Sequence, residues 1–163
     1  MKYERFEQLP VWQAAIELAK RIYGLTHQRE FRGHGGLRDQ IERAAVSISN
    51  NIAEGFERGT TQELLTFLYI ARGSAGEVRS MLCLIGTMPD FENLKFEISD
   101  LKSRAEGTSR QLRGWADALQ NSKITGQRYL NQKVRRTEES RKDRQEFLDK
   151  LARIRQGQSK TEV

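Results

Sequence analysis

The chain has 163 residues, enough for one ordinary domain with an appendage. Its single cysteine, Cys83, excludes an internal disulfide framework and a multi-cysteine zinc site. The net charge of +6 is unevenly placed: residues 1–120 hold 16 basic and 16 acidic side chains, whereas residues 121–163 hold 12 and 6. We therefore expect two parts, a neutral domain over residues 1–120 and a basic C-terminal extension over residues 121–163.

Membrane and secretory signals are missing from the sequence. The longest nearly apolar run, residues 64–71, is far shorter than the roughly 20 residues of a membrane-spanning helix. The first residues contain no apolar stretch of the kind that a secretory signal carries. We expect a cytoplasmic protein without a membrane partner. Glycine-rich phosphate-binding motifs and the zinc-protease motif are also absent from the sequence.

Four helices are predicted from apolar residues spaced three and four apart. The first covers residues 10–26 and begins with Pro10, since proline suits the first helical position. A glycine-rich loop at residues 33–36 follows, and we interpret it as a flexible turn in preference to an anion-binding site at the N-terminus of the next helix. The second helix covers residues 36–58, and Gly59 is expected to end it in a left-handed cap.

The third helix is predicted to begin at the capping box Thr60-Thr61-Gln62-Glu63 and to run to residue 87. It has two adjacent apolar stripes, and a patch of small residues at positions 71–76 offers close approach to another helix. The fourth helix covers residues 91–120, with Asp90 as its cap and eight consecutive positions, all apolar except Thr108, in strict 4-3 spacing. Short links favour antiparallel neighbours. The expected fold class is all-α, an antiparallel up-down-up-down four-helix bundle with a basic, helical C-terminal extension.

A polar stripe accompanies the apolar one on the second helix. Its members recur at 3-4-4-3 spacing and are Gln40, Arg43, Ser47, Asn51 and Glu54. Glu77 falls inside an apolar stripe of the third helix, where an unpaired carboxylate costs several kcal/mol, so Arg43 is its expected partner. We interpret these six residues as a structural polar network that fixes helix register. A ligand or catalytic site and a subunit interface are the alternatives.

Three segments, in order along the chain, resemble the motifs of one protein family. They are residues 6–15 (F-x-x-L-x-V-W-Q-x-A), residues 40–56 (QIERAAVSISNNIAEGF) and residues 70–77 (IARGSAGE). The family is that of the proteins encoded by intervening sequences within 23S rRNA genes. It shares its fold with the Avd (accessory variability determinant) proteins of diversity-generating retroelements. The resemblance covers residues 5–120 and leaves the C-terminal extension outside.

The resemblance implies a four-helix-bundle protomer that assembles into a homopentamer, without enzymatic activity and without a cofactor. The retroelement members bind a reverse transcriptase and nucleic acid, RNA or DNA, whereas the rRNA-encoded members have no settled function. The residues that match the family motifs are interpreted as architectural, and they are Arg43, Ser47, Asn51, Glu54, Gly55, Ser74 and Glu77.

Catalytic and metal chemistry have weak support in the sequence. His27 and His34 flank a loop but lack a firm third ligand, so no metal site is expected. Cys83 lies in an apolar helix and is expected to be a small core residue rather than a nucleophile. No carboxylate is placed beside a plausible nucleophile, so no catalytic residue is predicted.

The basic extension carries the strongest functional signal, because concentrated positive charge attracts phosphate without sequence selectivity. The predicted nucleic-acid-binding residues are Lys133, Arg135, Arg136, Arg141, Lys142 and Arg144. Acidic residues are interspersed among them, so a solvated, salt-bridged helix is the alternative interpretation. The first functional hypothesis is therefore an oligomeric, non-enzymatic accessory protein that binds nucleic acid and a reverse transcriptase. The second is a structural scaffold without a nucleic-acid role, whose extension docks through Leu148, Leu151 and Ile154.

Overall fold

The computed structural model describes residues 3–121, 140 and 143–150. The chain divides into two compact units, Met1–Gly126 and Gln127–Val163. The regular secondary structure of the described residues is helical throughout, which confirms the all-α fold class for them. Within these ranges, no helix combines the length and the apolar character needed to cross a membrane.

The first unit contains four long helices. They are α1 (Pro10–Thr26), α2 (Gly35–Glu57), α3 (Thr61–Ile85) and α4 (Lys95–Gln120). Short 3-10 helices occupy Phe6–Gln8, Arg29–Phe31 and Pro89–Leu94. The predicted bounds of α1 are confirmed, and Pro10 is its first residue.

The start of α4 differs from the prediction. Phe91 has φ −108° and ψ 15°, so the backbone is not helical there and the α-helix begins four residues later, at Lys95. Asp90 does not cap α4, since its carboxylate accepts a hydrogen bond of 3.0 Å from His34 Nε2 instead. Burial of the Phe91 ring against Phe31, with the ring centroids 4.8 Å apart, accompanies this local bend.

The predicted cap of α3 is confirmed. The Glu63 backbone N–H donates to Thr60 Oγ1 at 3.2 Å, and the Thr60 hydroxyl donates to Glu63 Oε2 at 2.7 Å. The carboxylate thus binds the hydroxyl rather than the backbone N–H of a standard capping box. The left-handed cap at Gly59 was predicted wrongly: Arg58 ends α2 in an extended conformation, and Gly33 is the one glycine of the described residues with positive φ.

Each helix turns one face toward a common core. The largest fully buried side chains include Ile22 of α1, Ile48 of α2, Leu68 of α3 and Leu101 of α4. The pairs of helices in extensive contact are α1 with α2, α2 with α3, α3 with α4, and α1 with α4. Burying such side chains contributes about 1.5–3 kcal/mol each relative to leaving them exposed.

Helices α2 and α3 approach each other closely at Gly55 of α2. A Cβ built there would stand 2.7 Å from Cβ of Phe67 and 3.4 Å from the Leu64 carbonyl oxygen, both on α3. The small-residue patch predicted on α3 divides instead, because Gly73 and Gly76 are exposed and a Cβ at either would meet nothing within 4 Å. At this level, the close approach of α2 to α3 therefore depends on the glycine of α2.

The second unit is described only at residues 140 and 143–150, which are helical and exposed. Within it, Gln145 Nε2 donates to Asp149 Oδ1 at 3.0 Å, one turn further along. Phe147 and Leu148 are 62% and 48% exposed. This helical stretch accordingly presents apolar as well as charged side chains on its surface.

Candidate binding cleft on helix α2

A cleft of about 450 Å³ lies along the outer face of α2. Its other α2 members lie three, four, seven, eight and eleven residues after Arg43, a spacing that places side chains on one side of a helix. One further side chain, Tyr23, comes from α1. The cleft is lined by Tyr23, Arg43, Val46, Ser47, Asn50, Asn51 and Glu54.

A chain of hydrogen bonds connects the cleft to α3. Asn51 Nδ2 donates to the Ser47 carbonyl oxygen at 2.7 Å and contacts Ser47 Oγ at 3.0 Å. The hydroxyls of Ser47 and Ser74 are 2.9 Å apart, and Ser74 is buried. These bonds fix the orientation of the Asn51 amide and join α2 to α3.

The two ends of the cleft differ in charge. At one end, Glu54 Oε1 accepts a hydrogen bond of 2.6 Å from Arg58, whose guanidinium also stands over the Phe67 ring at 5.2 Å. The Glu54 hydrogen bond raises the pKa of Arg58 above its usual value. At the other end, Arg43 is exposed and forms no ion pair or hydrogen bond through its side chain with any described residue. The cleft therefore has a neutralised carboxylate at one end and an unpaired guanidinium at the other.

The predicted polar network is only partly assembled. Ser47 and Asn51 are bonded together, but Gln40, Arg43, Glu54 and Glu77 are all exposed. The predicted ion pair between Arg43 and Glu77 is absent from the described residues. Glu77 Oε1 instead lies 3.5 Å from Gln40 Nε2. The expectation of a buried Glu77 was wrong because α3 turns Val78 and Met81 inward at this level.

Three lining residues were missed by the sequence reasoning. Val46 and Asn50 stand three and seven positions after Arg43, so the spacing rule that identified the polar stripe also includes them. Tyr23 belongs to another helix, and no single-sequence signal connects it with α2. The exposed Tyr23 ring gives the cleft an aromatic element that the predicted network lacks.

The histidines and the cysteine lie elsewhere. His27 Nδ1 is 2.6 Å from the Tyr23 carbonyl oxygen, and His34 binds Asp90. Over residues 3–121, 140 and 143–150, no group of three potential metal-binding side chains occurs. Cys83 is exposed, which contradicts its predicted place in the core, because Leu82 and Ile85 occupy the buried side of that turn.

Five of the predicted nucleic-acid-binding residues fall outside the described residues, namely Lys133, Arg135, Arg136, Arg141 and Lys142. Arg144 is helical and exposed. Residues 143–150 themselves contain two basic and three acidic side chains, so the positive excess of the extension belongs to residues 121–142 and 151–163. Leu151 and Ile154, two of the predicted docking residues, are likewise outside the described part.

An all-helical domain with a polar surface cleft is thus the class of protein that the fold and the site define. The family model described as 23S rRNA-intervening sequence protein matches residues 7–114. The match includes α1 to α3, most of α4 and the whole α2 cleft, and the chain belongs to this family. Among curated proteins, none matches the chain. Residues 115–163, with all of the basic extension, lie outside the family match.

Proposed function

We propose that this protein is a cytoplasmic, non-enzymatic, oligomeric accessory protein that binds nucleic acid through its C-terminal basic extension. Its reverse-transcriptase partner would be of the type found with Avd proteins in diversity-generating retroelements. The uneven charge carries this proposal: the 120 residues of the helical domain are neutral, and the following 43 residues hold the entire excess of six positive charges. Neutralisation of phosphates by such side chains supplies sequence-independent affinity.

We also propose that the helical domain is an antiparallel up-down-up-down four-helix bundle. Contacts between α2 and α3 join Gln40 with Glu77 and Ser47 with Ser74, so positions that rise along α2 fall along α3. Between α3 and α4, Tyr69 near the start of α3 accepts a hydrogen bond from Gln120 at the end of α4. Gly86, just after the end of α3, lies beside Ile98 near the start of α4. The two contacts support opposite directions for these helices. Helices α1 and α4 are joined by the ion pair of Arg21 with Asp100. Four helices in contact around a ring support this arrangement.

The decisive experiment removes the positive charge of the extension without truncating the chain. The tail-neutral variant changes six residues to glutamine, namely Lys133, Arg135, Arg136, Arg141, Lys142 and Arg144. Binding to duplex DNA and to structured RNA is measured by fluorescence anisotropy between 50 and 200 mM salt. If all six side chains contact phosphate, the slope of log K against log salt falls in magnitude by about five.

A control variant of equal net charge separates local contacts from overall charge. It changes six exposed basic residues of the helical domain to glutamine, namely Lys20, Arg29, Arg32, Arg79, Arg110 and Arg113. We expect this variant to keep a salt slope within about one of the natural protein. Equal slopes for the two variants would overturn the role of the extension, and the absence of any salt-dependent binding by the natural protein would overturn the nucleic-acid function.

The oligomer and the reverse-transcriptase partner have separate tests. A homopentamer, as the resemblance implies, predicts five times the protomer mass in solution, which light scattering measures directly. A monomer or a different oligomer would refute the pentamer. A reverse-transcriptase gene beside paired template and variable repeats in the genomic neighbourhood would support the retroelement assignment, and its absence would favour the rRNA-encoded branch of the family.

A structural scaffold without a nucleic-acid role is the second candidate. The observation in its favour is the exposure of Phe147 and Leu148 on a helical stretch of the extension, since exposed apolar side chains of this size are typical of contact surfaces. If this candidate is correct, changing both residues to serine lowers the oligomer mass and leaves nucleic-acid affinity absent or unchanged. The nucleic-acid proposal instead predicts that the tail-neutral variant keeps its oligomer mass and binds nucleic acid with a smaller salt slope.

A further inference from the structure

We infer that the α2 cleft binds one nucleotide of a single-stranded nucleic acid, with its base against the Tyr23 ring and its phosphate at Arg43. This role rests on the proposed nucleic-acid function and adds a strand-binding position within the helical domain. The cleft volume of about 450 Å³ is sufficient for a small ligand. Its lining combines one aromatic ring that suits a base, one unpaired cation that suits a phosphate, and several uncharged polar groups that can form hydrogen bonds.

Charge complementarity favours a phosphate at the Arg43 end. The Arg43 side chain is exposed, and none of the described residues pairs with it. Of the seven lining residues only Glu54 is acidic, and Arg58 holds that carboxylate at the opposite end of the cleft. A guanidinium presents a planar fork of donors that binds two phosphate oxygens at once. The unpaired Arg43 therefore supplies an anion-binding group that the fold itself leaves unused.

The aromatic element is suited to an unpaired base. Tyr23 is 40% exposed, although its side chain lines the cleft and its ring is tilted by 31° to that of His27, 6.2 Å away. Bases of single strands stack on such rings with little sequence preference, whereas the base faces of a duplex are covered by their neighbours. The ring therefore distinguishes a single strand from a duplex.

Two side-chain amides, those of Asn50 and Asn51, line the same cleft as Tyr23 and Arg43. Asn50 is exposed, and its side chain is not hydrogen-bonded to any residue of the described part. It follows Arg43 by seven residues, which is a rise of about 10 Å along the helix. A side-chain amide offers both a donor and an acceptor to a base edge. Ser47 and Asn51, held by their bonds to each other and to Ser74, form the fixed part of the surface beneath.

The test compares single-stranded and duplex binding in the full-length protein. The probes are a fluorescein-labelled 15-nucleotide RNA of mixed sequence and the corresponding labelled duplex. We expect Tyr23→Ala to weaken binding of the single strand by about fivefold or more, which corresponds to about 1 kcal/mol of lost stacking, with the duplex affinity unchanged. Tyr23→Phe, which keeps the ring, is the matched control and should bind like the natural protein.

The phosphate contact has its own matched pair of variants. Arg43→Gln should reduce the magnitude of the salt slope for the single strand by about 0.7, the value for one phosphate contact. Arg79→Gln removes the same charge from an exposed position of α3 outside the cleft and should leave that slope unchanged. Circular dichroism of each variant checks that the helical domain is intact.

The outcomes separate the cleft from the extension. Natural single-strand affinity in both Tyr23→Ala and Arg43→Gln would overturn the nucleotide site, as would an equal loss for single strand and duplex; a cleft that binds an acidic protein segment instead would give the first of these results. Neither result affects the proposed role of the extension, which depends on the tail-neutral variant. Conversely, a Tyr23→Ala effect combined with normal binding by the tail-neutral variant would support the cleft and overturn the extension.

Discussion

Replacement of Gly55 by alanine tests the close contact between α2 and α3. The new methyl carbon would stand 2.7 Å from Cβ of Phe67 and 3.2 Å from Cδ1 of Leu64. Phe67 Cβ is attached directly to the backbone, so the two helices must separate by about 1 Å before the carbons reach normal contact distance. Overpacking of this kind costs about 1–3 kcal/mol, while alanine recovers about 1 kcal/mol of helix propensity.

Alanine at Gly114 is the matched control for this substitution. Gly114 lies within α4, is exposed, and a Cβ there would meet nothing within 4 Å. We expect Gly114→Ala to raise the free energy of unfolding by about 0.5–1 kcal/mol, and Gly55→Ala to fall about 1–3 kcal/mol below it. Urea unfolding followed by circular dichroism, at one protein concentration, measures both. If Gly55→Ala proves as stable as Gly114→Ala, the helices are not in close contact at Gly55.

Two further substitutions test the surface electrostatics. Hydrogen bonds from Arg104 and then Arg21 hold the pKa of Asp100 below its usual 3.8, so its carboxylate stabilises the fold above the unfolded-state pKa and loses this effect as the pH falls through the folded-state pKa. In urea unfolding, the deficit of Asp100→Asn should therefore be constant above about pH 5 and should shrink below about pH 4; a deficit that grows on acidification would contradict the ion pairs. Glu77→Gln should change the free energy of unfolding by less than about 0.5 kcal/mol, because Glu77 is exposed and, among the described residues, its carboxylate is hydrogen-bonded to Gln40 alone. A loss of about 2 kcal/mol or more would mean that the carboxylate is covered.

Sequence signals predicted a helix boundary correctly where the boundary depends only on residues close to it in the chain. Pro10 marks the first residue of α1, and the Thr60–Glu63 pair marks the start of α3, because each depends on backbone groups within a few residues. The prediction failed at residues 89–94, where the burial of Phe91 against Phe31 prevails over continuous helix. That contact joins two distant segments, so no local pattern reports it.

Burial on α3 was harder to predict than the helix itself. Apolar residues occupy more than half of its circumference, and Ile70 and Leu84 are exposed although they lie in an apolar stripe. Periodicity alone leaves open which part of so broad a stripe the neighbouring helices cover. Glu77 and Cys83 were misplaced for the same reason. The α2 cleft was half predicted, since spacing identifies its α2 members but gives no indication of Tyr23.

The ring contact between Phe31 and Phe91 joins the α1–α2 connection to the α3–α4 connection, and the two residues are sixty positions apart in the chain. Closing a loop of that length costs conformational entropy, so the order of this end of the helical domain depends on packing between segments that are distant in the chain. The turn between α2 and α3 is different, because its cap bonds lie between neighbouring residues. The end with the α2–α3 turn is therefore ordered by bonds between neighbouring residues. The opposite end is ordered by contacts between distant residues, and the hydrogen bond of His34 with Asp90 is a second such contact.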